Sequence, residues 1–192
     1  MQRLVTLLFL VGQANFAYGN PLFTSDETLV LLIEAPMYTL LRQAEENPEL
    51  DASLTFTDSE GVDVTIEVEI TTRGHSRLQM CSFPPLSISF KKKHTKSTIF
   101  AGQKKLKIVS PCKGASKFLG YFHQEYGIYK AYNLITNHSF RVRMLEITFK
   151  DTEQERRDEV IPAFFIESDR EVAERLNKKE IKTKKILPSQ FD

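Results

Sequence analysis

Cys81 and Cys112 are the only two cysteines in the chain, and a lone pair of thiols has few chemical options. No further Cys and no closely spaced His accompanies either one, so a zinc site is disfavoured. In an oxidising compartment the pair is expected to close as a disulfide. Each lies beside an expected strand, and their 31-residue separation suits a staple across two neighbouring strands. The histidines, His75, His94, His123 and His138, show no metal-ligand spacing. No strained Gly-x-Ser-x-Gly turn, phosphate-binding Walker loop or Gly-x-Gly-x-x-Gly segment is present. Nucleophilic and common nucleotide chemistries therefore leave no familiar mark.

Charge leaves a stronger one. Between Glu69 and Glu125 there are 55 consecutive residues without Asp or Glu, although 25 acids are spread over 192 residues. The interval carries Arg73, Arg77 and nine lysines: Lys91, Lys92, Lys93, Lys96, Lys104, Lys105, Lys107, Lys113 and Lys117. A local excess of base in a chain of net charge +1 implies a polarised surface that would gather anions. The plainer alternative is a solvated sheet face balanced in space by Glu67 and Glu69 on a neighbouring strand. Nucleic acid is not expected, because the aromatic residues do not interleave with the lysines as a stacking platform.

The elements that must position these groups follow from periodicity. Met1-Gln2-Arg3, the apolar run Leu4 to Val11 and the small-residue exit Ala17-Tyr18-Gly19 read as a secretory signal peptide over residues 1–19. The exported product is expected at the periplasm, cell surface or outside the cell, and no later stretch is long and apolar enough to anchor it in a membrane. Residues 20–176 read as one α+β domain, and 177–192 as a basic tail. Leu29 to Ile33 is a buried strand, and Met37 to Glu46 a helix ended by Asn47-Pro48. Leu54 to Thr57 and Val62 to Thr72 form a hairpin, the second arm alternating Val64, Ile66, Val68 and Ile70 with polar residues. Leu86 to Phe90 and Leu106 to Ile108 are two more strands, and Phe118 to Ile135 the one long helix. A last strand pair, Val142 to Phe149 and Val160 to Ile166, leads into a short helix capped by Asp169.

Thr72-Arg73-Gly74-His75-Ser76, then Leu86-Ser87-Ile88-Ser89-Phe90, then Ile99 to Lys107 occur in an order that resembles the spore-coat protein H (CotH) kinase family. Gln124 to Tyr129 resembles that family's helix, and Phe164 to Asp169 its strand-to-hinge segment. The resemblance covers roughly residues 60–176. It implies the N-terminal lobe of an atypical protein kinase: a mainly antiparallel sheet with one long helix and short flanking helices. It further implies binding of ATP with Mg. Glu125 would then pair with a strand lysine, Lys105 or Lys107, that holds the phosphates, and Glu167 to Asp169 would lie at the adenine hinge. The metal-holding lobe would begin about where the sequence stops, so the expected product is a truncated relative without activity of its own. Two alternatives stand beside it: a phosphotransferase completed by a missing lobe, and an envelope module that binds acidic protein or anionic polymer through a basic face. Apolar surface left by a missing lobe would promote self-association.

Overall fold

The computed structural model describes residues 20–181; the expected signal peptide and positions 182–192 of the expected tail lie outside the described residues. Seven strands follow in chain order: β1 (Leu29–Ala35), β2 (Glu49–Thr57), β3 (Asp63–Thr72), β4 (Leu86–Phe90), β5 (Lys105–Val109), β6 (Val142–Asp151) and β7 (Glu159–Ile166). They close into a barrel in the order β1-β2-β3-β4-β5-β7-β6. This corrects the expected kinase-lobe α+β sheet. The decisive pairing is β1 with β6, in parallel from Leu29↔Leu145 to Ala35↔Asp151. An open lobe would leave two sheet edges with unpaired N–H and C=O groups, and that pairing consumes both. The other six pairings are antiparallel.

Local chemistry explains most of the strands. In β3, Ile66, Val68 and Ile70 are buried while Glu67 stays exposed, as its period-two pattern requires. The turn before it is held by Asp58, whose Oδ1 accepts from the Glu60 and Val62 amides at 2.9 and 3.0 Å. Gly61 supplies the positive φ of +80° that closes the turn. Inside the barrel, Leu31, Ile33, Leu54, Ile70, Leu86, Ile88, Leu106 and Phe165 are all nearly inaccessible. Phe100 enters from the β4–β5 connection and packs against Phe56, Phe90 and Phe165, with ring centroids 5.2, 5.1 and 6.1 Å away.

Five short or long α-helices decorate this wall: α1 (Met37–Arg42), α2 (Ser76–Met80), α3 (Lys92–Thr95), α4 (Ser116–Ile135) and α5 (Asp169–Arg175). Helix α1 ends earlier than its apolar pattern suggests, and a 3-10 turn, Ala44–Glu46, carries the chain to Asn47 at φ 51°. Its first N–H groups are capped from a distance, Tyr38 by Asp151 and Thr39 by Glu153. Helix α4 lies on the outside of the barrel, where Phe122, Tyr126 and Tyr129 pack on Phe164. The N-cap of α5 is Ser168, not Asp169; with Glu171 it forms a reciprocal capping box. Cys81, just after α2, and Cys112, just before α4, are joined as a disulfide. No helix among the described residues is long and apolar enough to cross a membrane.

Candidate functional site

Each residue singled out in the sequence has a definite place. Lys105 opens β5 opposite Ser89 and is exposed. Lys107 Nζ sits 2.9 Å from Asp169 Oδ2, so strand and α5 are tied by a half-exposed ion pair. Glu125 lies half-buried on α4, and among the described residues no ion pair within 4.0 Å joins it to a lysine. Lys107 thus meets Asp169 in place of the helix carboxylate. Glu167 is 2% exposed and has no oxygen to spare: Arg175 donates to it from Nε and Nη2 at 3.1 and 2.8 Å, and the Arg141 amide donates at 3.0 Å. Its own amide donates to the Arg141 carbonyl at 2.9 Å.

These contacts bear on the expected cofactors. A hinge residue must present main-chain groups to an adenine edge, and the Glu167 amide is already engaged within the protein. Among the described residues no group of three or more His, Cys, Asp or Glu side chains is placed to hold a metal ion. The residues present do not fit the ATP and Mg roles implied by the resemblance, and no step is derived through them.

Nor does the acid-free interval build a single basic face. Lys91 pairs with Glu69 and His94 stands by Glu67, both at 3.6 Å, while Lys107 is taken by Asp169. Lys92, Lys93, Lys96, Lys104 and Lys105 stay exposed around the β4–β5 connection. Lys113 and Lys117 lie beyond the other end of β5, against the Phe118 ring at 5.9 and 5.3 Å. Register explains the neutralised part: Glu69 lies opposite Ser89 on the adjoining strand, within reach of Lys91.

The arginines of the same interval behave differently. Arg73 leaves β3 just before Gly74, whose φ of +104° turns the chain away from the sheet. Its amide donates to the Pro85 carbonyl at 2.9 Å and its Nε to the Leu86 carbonyl at 3.1 Å, which pins the guanidinium against β4. Among the described residues its two terminal nitrogens donate to nothing. Burial pushes the guanidinium pKa down and neighbouring Arg77 pushes it further, while Glu125 and Tyr129 act the other way. Burial and the Glu125 charge in turn raise the Tyr129 phenol. Arg73, Arg77, Glu125 and Tyr129 therefore share one electrostatic neighbourhood beside α4. Next to it opens a cleft of about 330 Å³ whose walls include Glu125, Ile128, Tyr129, Tyr132, His138 and Phe140.

A partly desolvated guanidinium with an open two-pronged end is suited to a carboxylate or phosphate, which it can bind bidentately. The apolar walls beside it suit the side chains that would accompany such a group. The sequence had placed Arg73 within a motif but not within a site. Its signal was the position itself: an Arg-Gly pair ending the most regular strand of the chain. Compared with family models, curated proteins and solved structures, the chain has no match.

Proposed function

We propose that the protein is an exported, non-catalytic binding module that takes an acidic protein segment in the cleft beside α4. The observation that carries this reading is the Arg73 guanidinium, held by Nε with its terminal nitrogens open and Arg77 beside it. Ile128, Tyr129, Tyr132 and Phe140 favour a peptide over a carboxylated polymer, because a peptide can bring apolar side chains to the same cleft. Export rests on the basic-apolar-small pattern of residues 1–19.

Fluorescence anisotropy with a labelled peptide alternating Glu and Phe tests the module. Arg73→Gln keeps a neutral amide donor but loses the charge; losing the equivalent of one charge-assisted hydrogen bond, roughly 1.5–3 kcal/mol, should lower affinity about ten- to a hundredfold. Arg77→Gln, which breaks no side-chain hydrogen bond among the described residues, is expected to weaken binding less and to leave the melting temperature unchanged. Binding should also weaken with salt. Equal affinity of wild type, Arg73→Gln and Arg77→Gln would overturn the reading. Tighter binding of polyglutamate than of the mixed peptide would shift it to an anionic polymer. A magnesium-dependent rise in melting temperature with ATP would restore the phosphotransferase alternative. In an export-competent host the precursor should be cut after Gly19; an uncut chain retained in the cytoplasm would remove export from the proposal.

A further inference from the structure

Helix α4 has more apolar surface than the barrel can cover. Its inner face, Phe122, Tyr126 and Tyr129, is spent on Phe164. Of the twelve large hydrophobic side chains exposed among the described residues, six belong to this one helix: Leu119, Tyr121, Ile128, Tyr132, Leu134 and Ile135. Tyr121, Ile128 and Ile135 recur every seven positions, so at about 100° per residue they form one stripe roughly along the helix axis. They are 60%, 59% and 80% exposed. Gln124 and Ala131 lie between them on one side, where Ala131 is small enough for another helix to approach, and Glu125 and Tyr132 flank the stripe on the cleft side.

We infer that this stripe is a self-association surface, on which α4 of a second copy lies antiparallel with Ile128 near the two-fold axis. Antiparallel register then sets Tyr121 of each copy opposite Ile135 of the other. Charge at the helix ends selects this occupant. The first turn of α4 contains no acid and the last turn no base, so neither end of its dipole is balanced by its own side chains. Lys117 sits in the first turn, where its charge opposes its own helix dipole. Antiparallel pairing brings that lysine towards the carbonyl end of the other α4, and does so twice by symmetry. A 20-residue helix offers a strip about 30 Å long. One helix width is at the small end of specific interfaces, so the dimer is concentration-dependent.

The two native cysteines are tied to each other, so an introduced cysteine is the single reactive thiol. Ile128→Cys is expected to give a covalent dimer rapidly on mild oxidation, whereas Ser59→Cys, on the β2–β3 turn, is not. Sedimentation velocity across micromolar to millimolar protein should show a monomer–dimer shift that Tyr121→Asp and Ile135→Asp abolish at unchanged melting temperature. Tyr121 and Ile135 lie outside the cleft walls, so peptide binding at Arg73 should persist in these variants, whereas Ile128 belongs to both surfaces, so the dimer and the peptide compete in the wild type. A monomer at every concentration, or Ile128→Cys linking no faster than Ser59→Cys, overturns the inference and leaves the anion site standing.

Discussion

Replacing Arg175 by Met should be among the most damaging single changes on the outer wall of the barrel. Arg175 fills the space between β7, the end of α4 and the loop into β6. It donates twice to the Glu167 carboxylate, to the Ser139 carbonyl at 2.7 Å and to the Asn137 carbonyl. Glu167 is the buried partner, and without Arg175 only the Arg141 amide would remain to it. Breaking a buried pair by removing one member costs about 3–5 kcal/mol, because the remaining charge is stranded. The Arg175 side chain keeps 18% exposure, so water relieves part of that penalty and the lower end of the range, about 3 kcal/mol, is expected. For a domain of this size the melting point should fall by roughly 6–12 °C. Glu167→Gln removes the charge that Arg175 would strand, so the double variant should lose at least ~1.5 kcal/mol less than the sum of the single ones. Urea unfolding at pH 7, followed by circular dichroism, measures all three. A loss below ~1 kcal/mol for Arg175→Met, or strict additivity, would refute the view of Glu167 as a structural anchor.

Asp151 predicts the acid limb of stability. Burial alone would raise its carboxyl pKa, but amides of Tyr38, Glu153, Glu155 and Arg156 donate to it and hold the pKa below the ordinary value. Its contribution is therefore complete above the unfolded carboxyl value of about 3.9 and is lost as pH falls through the lower folded value. Asp151→Asn should cost roughly 1.5–3 kcal/mol at pH 7 and flatten the fall in urea midpoint below pH 4; an unchanged acid limb would exclude this cause. Removing the Cys81–Cys112 bridge by the double Ser variant releases a loop with a sequence separation of 31, worth about 3–4 kcal/mol of unfolded-chain entropy. Calorimetry with no loss of melting temperature would show that the staple does not limit stability.

The parts that were legible in the sequence are those whose cause is local. Alternation marks β3 because one face of a strand is wet and the other dry, and Ile66, Val68 and Ile70 meet that condition within the strand itself. The disulfide followed from cysteine number and from the strands beside it. Asp169 reads as the cap of α5 and the cap is Ser168, so the start of that helix was legible to one residue although its Ser168–Glu171 capping box went unread. Closure of the barrel was not readable, because β1 and β6 are paired across more than a hundred residues and in parallel. The apolar run Leu29 to Ile33 announces a strand but not its neighbour. The same limit applies to the site. Charge counts pointed to lysines, yet cross-strand acids neutralise some of them, and only the fold brings Arg73 beside α4 and its apolar cleft.

Barrel closure also bears on where the proposed binding can lie. The interior is filled by aliphatic side chains and by Phe100, and a filled barrel of seven strands has no room for a ligand. With the sheet edges consumed, recognition by adding a strand is closed off as well. What remains is the outer wall, where most strands present polar residues to water and need no partner. Helix α4 departs from that rule on the side away from its packing face, and a cleft with a pinned, partly desolvated arginine lies alongside. Exposed apolar surface and a half-buried charge are both costly in isolation. Their presence side by side, Arg73 at the end of β3 and the apolar surface on α4, supports the proposal of binding there over the exposed lysines of the β4–β5 connection.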